Sequence, residues 1–296
     1  MTGTAICLVT GACGQVGRSL VEALPEAGLG GTFLSHEDLD VSDWRSVCEC
    51  VSSVRPDLLI NAAAYTNVDK AESEREVAFA VNAAGPGHLA AVAEDLDIPL
   101  LHVSTDYVFD GQSVEPYRPR DPIAPMGAYG KSKAAGEALV REKSRRHIVL
   151  RTAWVFSPFG RNFVKTMLTL GREREELRVV ADQVGCPTGA RDIATALASL
   201  ARAWVDIGEL SWGTYHFVCQ GRTSWHGLAE ATFDIAAPAW GGHRPRVVPI
   251  STEEYPTLAK RPAYSVLDCE TFDATFGTPR RDWKLSLAET VHHLVS

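Results

Sequence analysis

Short apolar runs rich in β-branched residues alternate with helix-length segments through the first half of this 296-residue chain. Helical patterning is clearest over residues 15–27, 75–96 and 129–143, and the apolar runs are residues 5–10, 31–34, 57–61, 99–104 and 147–152. Continuous apolar runs of this length are typical of parallel strands whose two faces are both covered by helices. The alternation therefore predicts an α/β fold built on a doubly wound parallel sheet.

A glycine-rich turn, GACGQVG, joins the first predicted strand to the first predicted helix. Glycines at such a turn let backbone N–H groups approach a pyrophosphate, and the helix N-terminus adds partial positive charge. The same glycines would also serve a tight turn that binds nothing. We predict a dinucleotide site of the Rossmann type formed by Gly11, Gly14, Gln15, Val16 and Gly17.

The end of the second predicted strand bears on the choice of nicotinamide cofactor. An acidic residue there would bind the adenosine ribose and repel a 2′-phosphate, but the chain has Ser35 and His36 at this point. Arg18, directly after the third glycine, could pair with a 2′-phosphate, although a solvated side chain explains it equally well. We expect NADPH to be used at least as well as NADH.

Further cofactor contacts are predicted after the second and third strands. Asp40 could accept from the adenine amino group and Val41 could pack on its ring, although an Asp at this point is equally typical of the start of a turn or a helix. The third strand is followed by a run of small residues that leaves room for a dinucleotide to cross the strand ends, and this run comprises Ala63 and Ala64, before Tyr65 and Thr66.

Tyr129 and Lys133 are four residues apart in a helical segment, so both side chains share one helical face. A phenol with a pKa of about 10 is a weak acid at neutral pH, and a nearby ammonium lowers that pKa. This pair alone is common on exposed helices, but here it follows the glycine turn and Thr105, which closes the fourth predicted strand. The order predicts carbonyl reduction, with Tyr129 donating a proton, Lys133 assisting it and Thr105 orienting the carbonyl oxygen.

Proline and glycine become frequent after about residue 155 and divide the pattern into shorter elements. We predict that residues 1–158 form the NAD(P)-binding Rossmann domain, with segments near 189–218 and 263–275 returning to it. Residues 159–296 would form mainly a smaller C-terminal substrate-binding lobe.

Composition excludes several other classes of protein. The net charge of -8 argues against nucleic acid as a partner, and no apolar run approaches the roughly 20 residues that span a bilayer. The first residues lack the basic and apolar regions of a secretory signal, and the seven cysteines are odd in number and scattered, as reduced thiols are. A cytoplasmic protein with no membrane partner is expected.

Taken together, the motifs resemble those of the extended short-chain dehydrogenase/reductases along nearly the whole chain. The shared segments are GACGQVG from Gly11, NAAAYTNVDKAE from Asn61, VNA from Val81, STDYVFDG from Ser104, YGKSK from Tyr129, LRTAWV from Leu150, GRNFVKTM from Gly160, DQVGCPTG from Asp182 and RP from Arg261. Within that family the resemblance is to reductases of nucleotide sugars. It implies reduction of the 4-keto group of dTDP-4-dehydro-6-deoxy-L-mannose to dTDP-L-rhamnose.

The resemblance also implies roles for particular residues. Gly14, Gln15 and Val16 would contact the cofactor pyrophosphate, Asp40 and Val41 the adenine, and the rest of the dinucleotide would lie against Ala64, Tyr65, Thr66 and Val103. The dTDP-sugar would meet Thr105, Asp106, Trp154, Asn162 and Gln183. From the residues alone, Trp154 could stack on a ligand ring or be a buried interface aromatic.

Two departures from the family pattern qualify these expectations. Some relatives dimerise through magnesium held by acidic side chains, and the corresponding positions here are Ser19 and Arg191. We therefore expect no metal, and a monomer or a homodimer. The second departure is the pair Ser35 and His36, which argues against strict use of NADH.

Three alternatives stay open at this point. The chain could reduce another dTDP-deoxysugar or a branched sugar of a natural-product pathway, because the catalytic motifs would be the same. It could be a non-catalytic regulatory subunit of the methionine adenosyltransferase type, which resembles this family. It could also be an epimerase with tightly held NAD. Retention of the glycine turn, Thr105, Tyr129 and Lys133 favours a reductase.

Overall fold

The computed structural model describes residues 4–296. Its strands, in chain order, are β1 Ile6–Thr10, β2 Gly30–Leu34, β3 Leu58–Asn61, β4 Leu100–Thr105, β5 His147–Thr152, β6 Val155–Phe156, β7 Glu176–Val180, β8 Val184–Gly185, β9 Thr188–Gly189, β10 Gly213–His216, β11 Thr223–Ser224 and β12 Arg246–Ile250. Its α-helices are α1 Gln15–Glu26, α2 Trp44–Val54, α3 Arg75–Phe79, α4 Gly85–Asp95, α5 Ala128–Lys143, α6 Phe163–Glu173, α7 Ala190–Ile207, α8 Trp225–Ala236, α9 Glu270–Phe276 and α10 Trp283–Val295.

Within residues 4–296, six parallel strands form one sheet in the order β10-β5-β4-β3-β1-β2. Alternate residues point to opposite faces, where α1 and α7 cover one side and α2, α4 and α5 the other. The predicted doubly wound parallel sheet is therefore confirmed. The winding direction reverses between β1 and β3, and ligands of such sheets bind outside the carboxyl ends of the strands at that reversal.

The helix predicted over residues 75–96 is not uniform. Between α3 and α4 the chain makes a π-helical turn, Ala80–Ala84. Pro86, in the first turn of α4, has no N–H to continue the regular hydrogen-bond ladder, which accounts for a local change of helix type. The turn places Asn82 so that its side chain accepts from the backbone N–H of Tyr65 at 2.8 Å.

The second half of the chain adds a layer beside the sheet. Here α6, α8 and α10 share a hydrophobic core, and β7 pairs with β12 in a small parallel ribbon. In contrast, α7 packs on α1, and β10 lies at the edge of the central sheet. The division into residues 1–158 and 159–296 stays a prediction, and its first three residues lie outside the described part. No helix in residues 4–296 is long and apolar enough to cross a membrane.

Candidate active site

A cavity of about 1560 Å³ lies at the carboxyl ends of the central strands. It exceeds the usual size of a pocket for one small ligand, which is about 300–1,000 Å³, and so has room for a dinucleotide beside a second molecule. The predicted site residues that line it are Gly11, Gly14, Gln15, Val16, Val41, Ala63, Ala64, Tyr65, Thr66, Val103, Thr105, Asp106, Tyr129, Lys133, Trp154, Asn162 and Gln183.

The glycine turn is packed too tightly for other residues. Gly11 has φ +71°, and a Cβ built there would lie 2.6 Å from the backbone nitrogen of Ala63. A Cβ at Gly17 would lie 2.3 Å from the carbonyl oxygen of Gly11, so Gly17 lets α1 approach the turn although it does not line the cavity. The resulting cradle of exposed backbone at the start of α1 fits a pyrophosphate.

Arg18, Ser35 and Asp40, which were also predicted to contact the cofactor, do not line the cavity. Arg18 is exposed, with its guanidinium carbon 5.2 Å from the centre of the Phe159 ring. The hydroxyl of Ser42 donates to Asp40 at 2.7 Å, and that of Ser35 donates to a carboxylate at 2.6 Å.

That second carboxylate belongs to Asp38, which lies in the turn after β2. The acid comes from three residues further along, where a turn folds it back onto Ser35. Hydrogen bonds from Ser35 lower the pKa of Asp38. The cavity wall at this point is formed by His36 and Leu39, however, so the Asp38 carboxylate closes the turn and does not line the wall.

Thr105 and Asp106 form a hydrogen-bonded unit at the end of β4. The Thr105 hydroxyl donates to Asp106 Oδ1 at 3.0 Å and accepts from the backbone N–H of Tyr107 at 3.2 Å. Asp106 is buried, its Oδ2 has no partner among the described residues, and burial raises its pKa to about 6. The Thr105 hydroxyl is therefore held in one orientation by its neighbour.

Tyr129 is half-buried in the cavity wall, and burial raises the pKa of its phenol above the usual value. The predicted lowering of that pKa by Lys133 is wrong, because burial raises it, Asp106 and Tyr107 add to the rise, and only the hydrogen bond with Thr105 acts against it. Lys133 Nζ instead donates to the carbonyl of Val103 at 2.7 Å. Burial lowers the pKa of Lys133 to about 8, opposed in part by Glu137. The phenol therefore stays protonated at neutral pH, as a proton donor must.

A buried ion pair behind the catalytic residues was missed from the sequence. Glu137 follows Tyr129 and Lys133 on the same face of α5 and is fully buried. It accepts from Arg151 on β5 at 2.7 and 2.8 Å and from Ser104 on β4 at 2.6 Å. The spacing of Glu137 was the available signal, but its partners come from other strands. The Glu137–Arg151 ion pair holds α5 against the sheet.

The two interpretations of Trp154 are partly resolved by its neighbours. Its indole lies parallel to that of Trp225, with ring centres 3.5 Å apart, and a Cβ at Gly185 would lie 2.4 Å from it. Trp154 therefore stacks on protein. Trp225, which also lines the cavity, had no signal in the sequence that would have identified it.

Asn162 and Gln183 line the cavity with their amides already engaged. Asn162 accepts from the N–H of Lys165 as the N-cap of α6, and its amino group donates to Gln15 Oε1 at 2.9 Å. Gln183 accepts from Trp225 Nε1 and donates to the hydroxyl of Thr252, both at 3.0 Å. Their direct contact with a sugar nucleotide stays a prediction.

Ser19 and Arg191 stand where some relatives have metal-binding acids, and Arg191 forms salt bridges within the chain. Arg191 on α7 donates to Glu22 at 2.6 Å and to Glu26 at 2.5 Å on α1, and Ser19 is buried. In the described part of the chain, no group of three or more His, Cys, Asp or Glu side chains is arranged to hold a metal ion.

The parallel sheet, the glycine turn and the Thr, Tyr and Lys side chains in one cavity define a reductase of the short-chain dehydrogenase/reductase class. Residues 5–296 match the family model described as the RmlD substrate binding domain. The dTDP-4-dehydrorhamnose reductase of Aggregatibacter actinomycetemcomitans is 45% identical over 283 residues, covering 95% of this chain and 96% of that protein. The chain belongs to the dTDP-4-dehydrorhamnose reductase family.

Solved structures agree over the full length. The dTDP-4-dehydrorhamnose reductase of Clostridium acetobutylicum superposes with a TM-score of 0.90 at 38% identity, covering 98% of this chain and 100% of that one. The enzyme of Bacillus anthracis, solved in complex with NADP, gives a TM-score of 0.90 at 34% identity with the same coverage. The present chain is accordingly an oxidoreductase and not a non-catalytic subunit.

Proposed function

We propose that this protein reduces the 4-keto group of dTDP-4-dehydro-6-deoxy-L-mannose to dTDP-L-rhamnose, using NADPH or NADH. The observation that carries the proposal is the meeting of Thr105, Tyr129 and Lys133 with the glycine turn in one cavity. Family membership supports the sugar nucleotide as substrate. Whether the enzyme is a monomer or a homodimer, and its cytoplasmic location, stay predictions.

Each of these residues has a distinct proposed role. The glycine turn, Ala63, Ala64 and Val103 would hold the nicotinamide cofactor, which would supply the hydride for C4. Tyr129 donates its phenolic proton to the keto oxygen. Asp106 accepts from the Thr105 hydroxyl at 3.0 Å and so fixes the position of that side chain in the cavity wall, and Lys133 restores the proton to Tyr129.

Two arginines provide positive charge for the substrate's diphosphate. Arg161 and Arg174 line the cavity on the side of the second lobe. Neither forms a salt bridge within residues 4–296. Arg178, in contrast, lines the same wall but is paired with Glu254 at 2.5 Å. Unpaired guanidinium groups are suited to bidentate recognition of phosphate oxygens.

Product analysis tests the proposed function directly. The purified protein would be incubated with NADPH and a panel of 4-keto sugar nucleotides, with products identified by NMR. We expect rapid cofactor oxidation with dTDP-4-dehydro-6-deoxy-L-mannose and a product with the rhamno configuration. Faster turnover of another keto sugar would reassign the substrate, and absence of oxidation with every member would refute the reductase function.

Arg18→Ala tests cofactor preference. Arg18 is the exposed cation beside the glycine turn, and its loss should raise the KM for NADPH by about tenfold, the size of one charge-assisted hydrogen bond, while the KM for NADH stays unchanged. Steady-state kinetics with both cofactors provide the measurement. Equal changes for the two cofactors would mean that Arg18 does not contact the 2′-phosphate.

A further inference from the structure

A line of buried polar side chains crosses the sheet beneath the cavity and ends at the catalytic lysine. It consists of Thr10 on β1, Asn61 on β3, His102 on β4 and Lys133 on α5, each no more than 2% exposed. The first three have no part in the proposed reaction. Buried polar groups of this kind must be paired, and the direction of each hydrogen bond can therefore be worked out from its partners.

The amide of Asn61 has only one orientation. Its Oδ1 lies 3.1 Å from the backbone nitrogen of Ala63, which can only donate, and 2.7 Å from the hydroxyl of Thr10. Its Nδ2 is therefore the atom that lies 3.0 Å from His102 Nδ1. Because an amide nitrogen only donates, Nδ1 of His102 must accept and carries no proton.

His102 is consequently neutral, with its proton on Nε2. That nitrogen lies 3.4 Å from Lys133 Nζ. If Nζ were an ammonium, it and Nε2–H would both be donors in the same contact. A neutral amine can instead accept from Nε2–H and still donate to the carbonyl of Val103. The contacts thus favour the amine. Burial, which lowers the pKa of His102 well below its usual value and that of Lys133 to about 8, acts in the same direction.

We propose that His102 is a positioning residue which, by directing Nε2–H at Nζ, shifts Lys133 towards its amine form so that this lysine exchanges protons near neutral pH. The inference rests on the proposed function, in which Lys133 returns to Tyr129 the proton given to the keto oxygen and is itself reprotonated from solvent. Without His102 the ammonium would be favoured and would release its proton only at higher pH.

The other titratable groups around Lys133 lie on its own helix and on β5. On its own helix Glu137 favours the ammonium, and Tyr129 is a neutral phenol. On β5, Arg151 is neutralised by Glu137, and His147, whose charge would lower the pKa of His102, has its Nδ1 bonded to the carbonyl of Ser144 at 2.6 Å. Only His102 offers a donor to Nζ among the described residues.

The variant His102→Asn tests the proposal. An asparagine Oδ1 can replace Nδ1 as acceptor for Asn61, but nothing then reaches Nζ. The kcat for reduction should fall with rising pH near 8 in the unaltered enzyme, and in the variant this alkaline limb should move about one pH unit higher, as expected for loss of one hydrogen bond. The matched control is His147→Asn, which has no contact with Lys133 and should leave the limb in place. An unmoved limb in His102→Asn, or a downward shift, would overturn the proposal.

A second measurement needs neither a variant nor activity. In ¹⁵N-histidine NMR spectra of the unaltered protein, His102 should stay neutral with its proton on Nε2 from pH 5 to 9. His216, the other fully buried histidine, provides an internal contrast: its Nδ1 lies 3.0 and 3.1 Å from two carbonyls and so must carry the proton. Two buried histidines of opposite tautomer are expected. Finding no buried Nε2–H tautomer would refute the role of His102 while leaving the reductase function intact.

Discussion

Tyr129→Phe is expected to lower kcat about a thousandfold, the size of a lost general acid, and to leave the affinity for NADPH nearly unchanged. The ring stays in the cavity wall, where it packs edge-on against Tyr107 with centres 5.4 Å apart, so the fold should be preserved. Only the hydroxyl that gives a proton to the keto oxygen is removed. Steady-state kinetics and a fluorescence titration with NADPH provide the two measurements.

Tyr107→Phe is the matched control for this prediction. Tyr107 is a second phenol in the cavity wall, beside Tyr129, but its hydroxyl accepts from Arg261 at 3.1 Å, and Arg261 is held in turn by Asp69. Its removal should reduce turnover by no more than several-fold. If Tyr107→Phe were inactive and Tyr129→Phe active, the assignment of the proton donor would have to be exchanged between them.

Arg151→Met is expected to lower the free energy of unfolding by about 3–5 kcal/mol, because it leaves the fully buried Glu137 carboxylate without its main partner. Arg141→Met removes the other partner of Glu137, which lies 3.2 Å away and is 38% exposed, and should cost less than about 1 kcal/mol. Urea unfolding at pH 7 compares the two variants. Equal losses would show that burial of Arg151 does not determine the effect.

The pH dependence of the same variants checks the cause. Burial alone would raise the pKa of Glu137, but hydrogen bonds and charge from Arg151 hold it below its usual value. A carboxylate whose pKa is lowered in the folded state stabilises the fold above its unfolded pKa of about 4.3. This contribution is lost as the pH falls through the lower folded pKa. Without Arg151 the carboxyl can protonate at higher pH. The difference in free energy of unfolding between the unaltered protein and Arg151→Met should therefore become smaller as the pH falls from 7 to 4.5.

Features of the site that depend on local spacing were predictable. The glycine turn follows a strand and begins a helix, and Tyr129 and Lys133 share a helical face because four residues make about one turn. The predicted strand bounds were close to those in the structure, because an apolar run shows where a strand is buried. The interruption between α3 and α4 was missed, because the alanine-rich pattern obscured the effect of Pro86.

The surroundings of these residues were not predictable. Asp38 reaches Ser35 through a turn, Trp154 meets Trp225 from a distant helix, and Glu137 meets Arg151 from a neighbouring strand. Each contact depends on which elements the sheet order brings together. His102 did carry a signal, as a polar residue within an apolar strand, but nothing near it in the chain indicates Asn61 or Lys133 as partners.

The sequence by itself determined the fold class, the position of the glycine turn and the side chains that share the catalytic face, because all three follow from periodicity and short-range spacing. Only the tertiary structure decided their protonation. The pKa values of Tyr129 and Lys133 depend on how far the surrounding strands and helices exclude water, and on donors such as His102 that the fold brings from elsewhere in the chain. The phenol was therefore correctly located from the sequence and incorrectly assigned a lowered pKa.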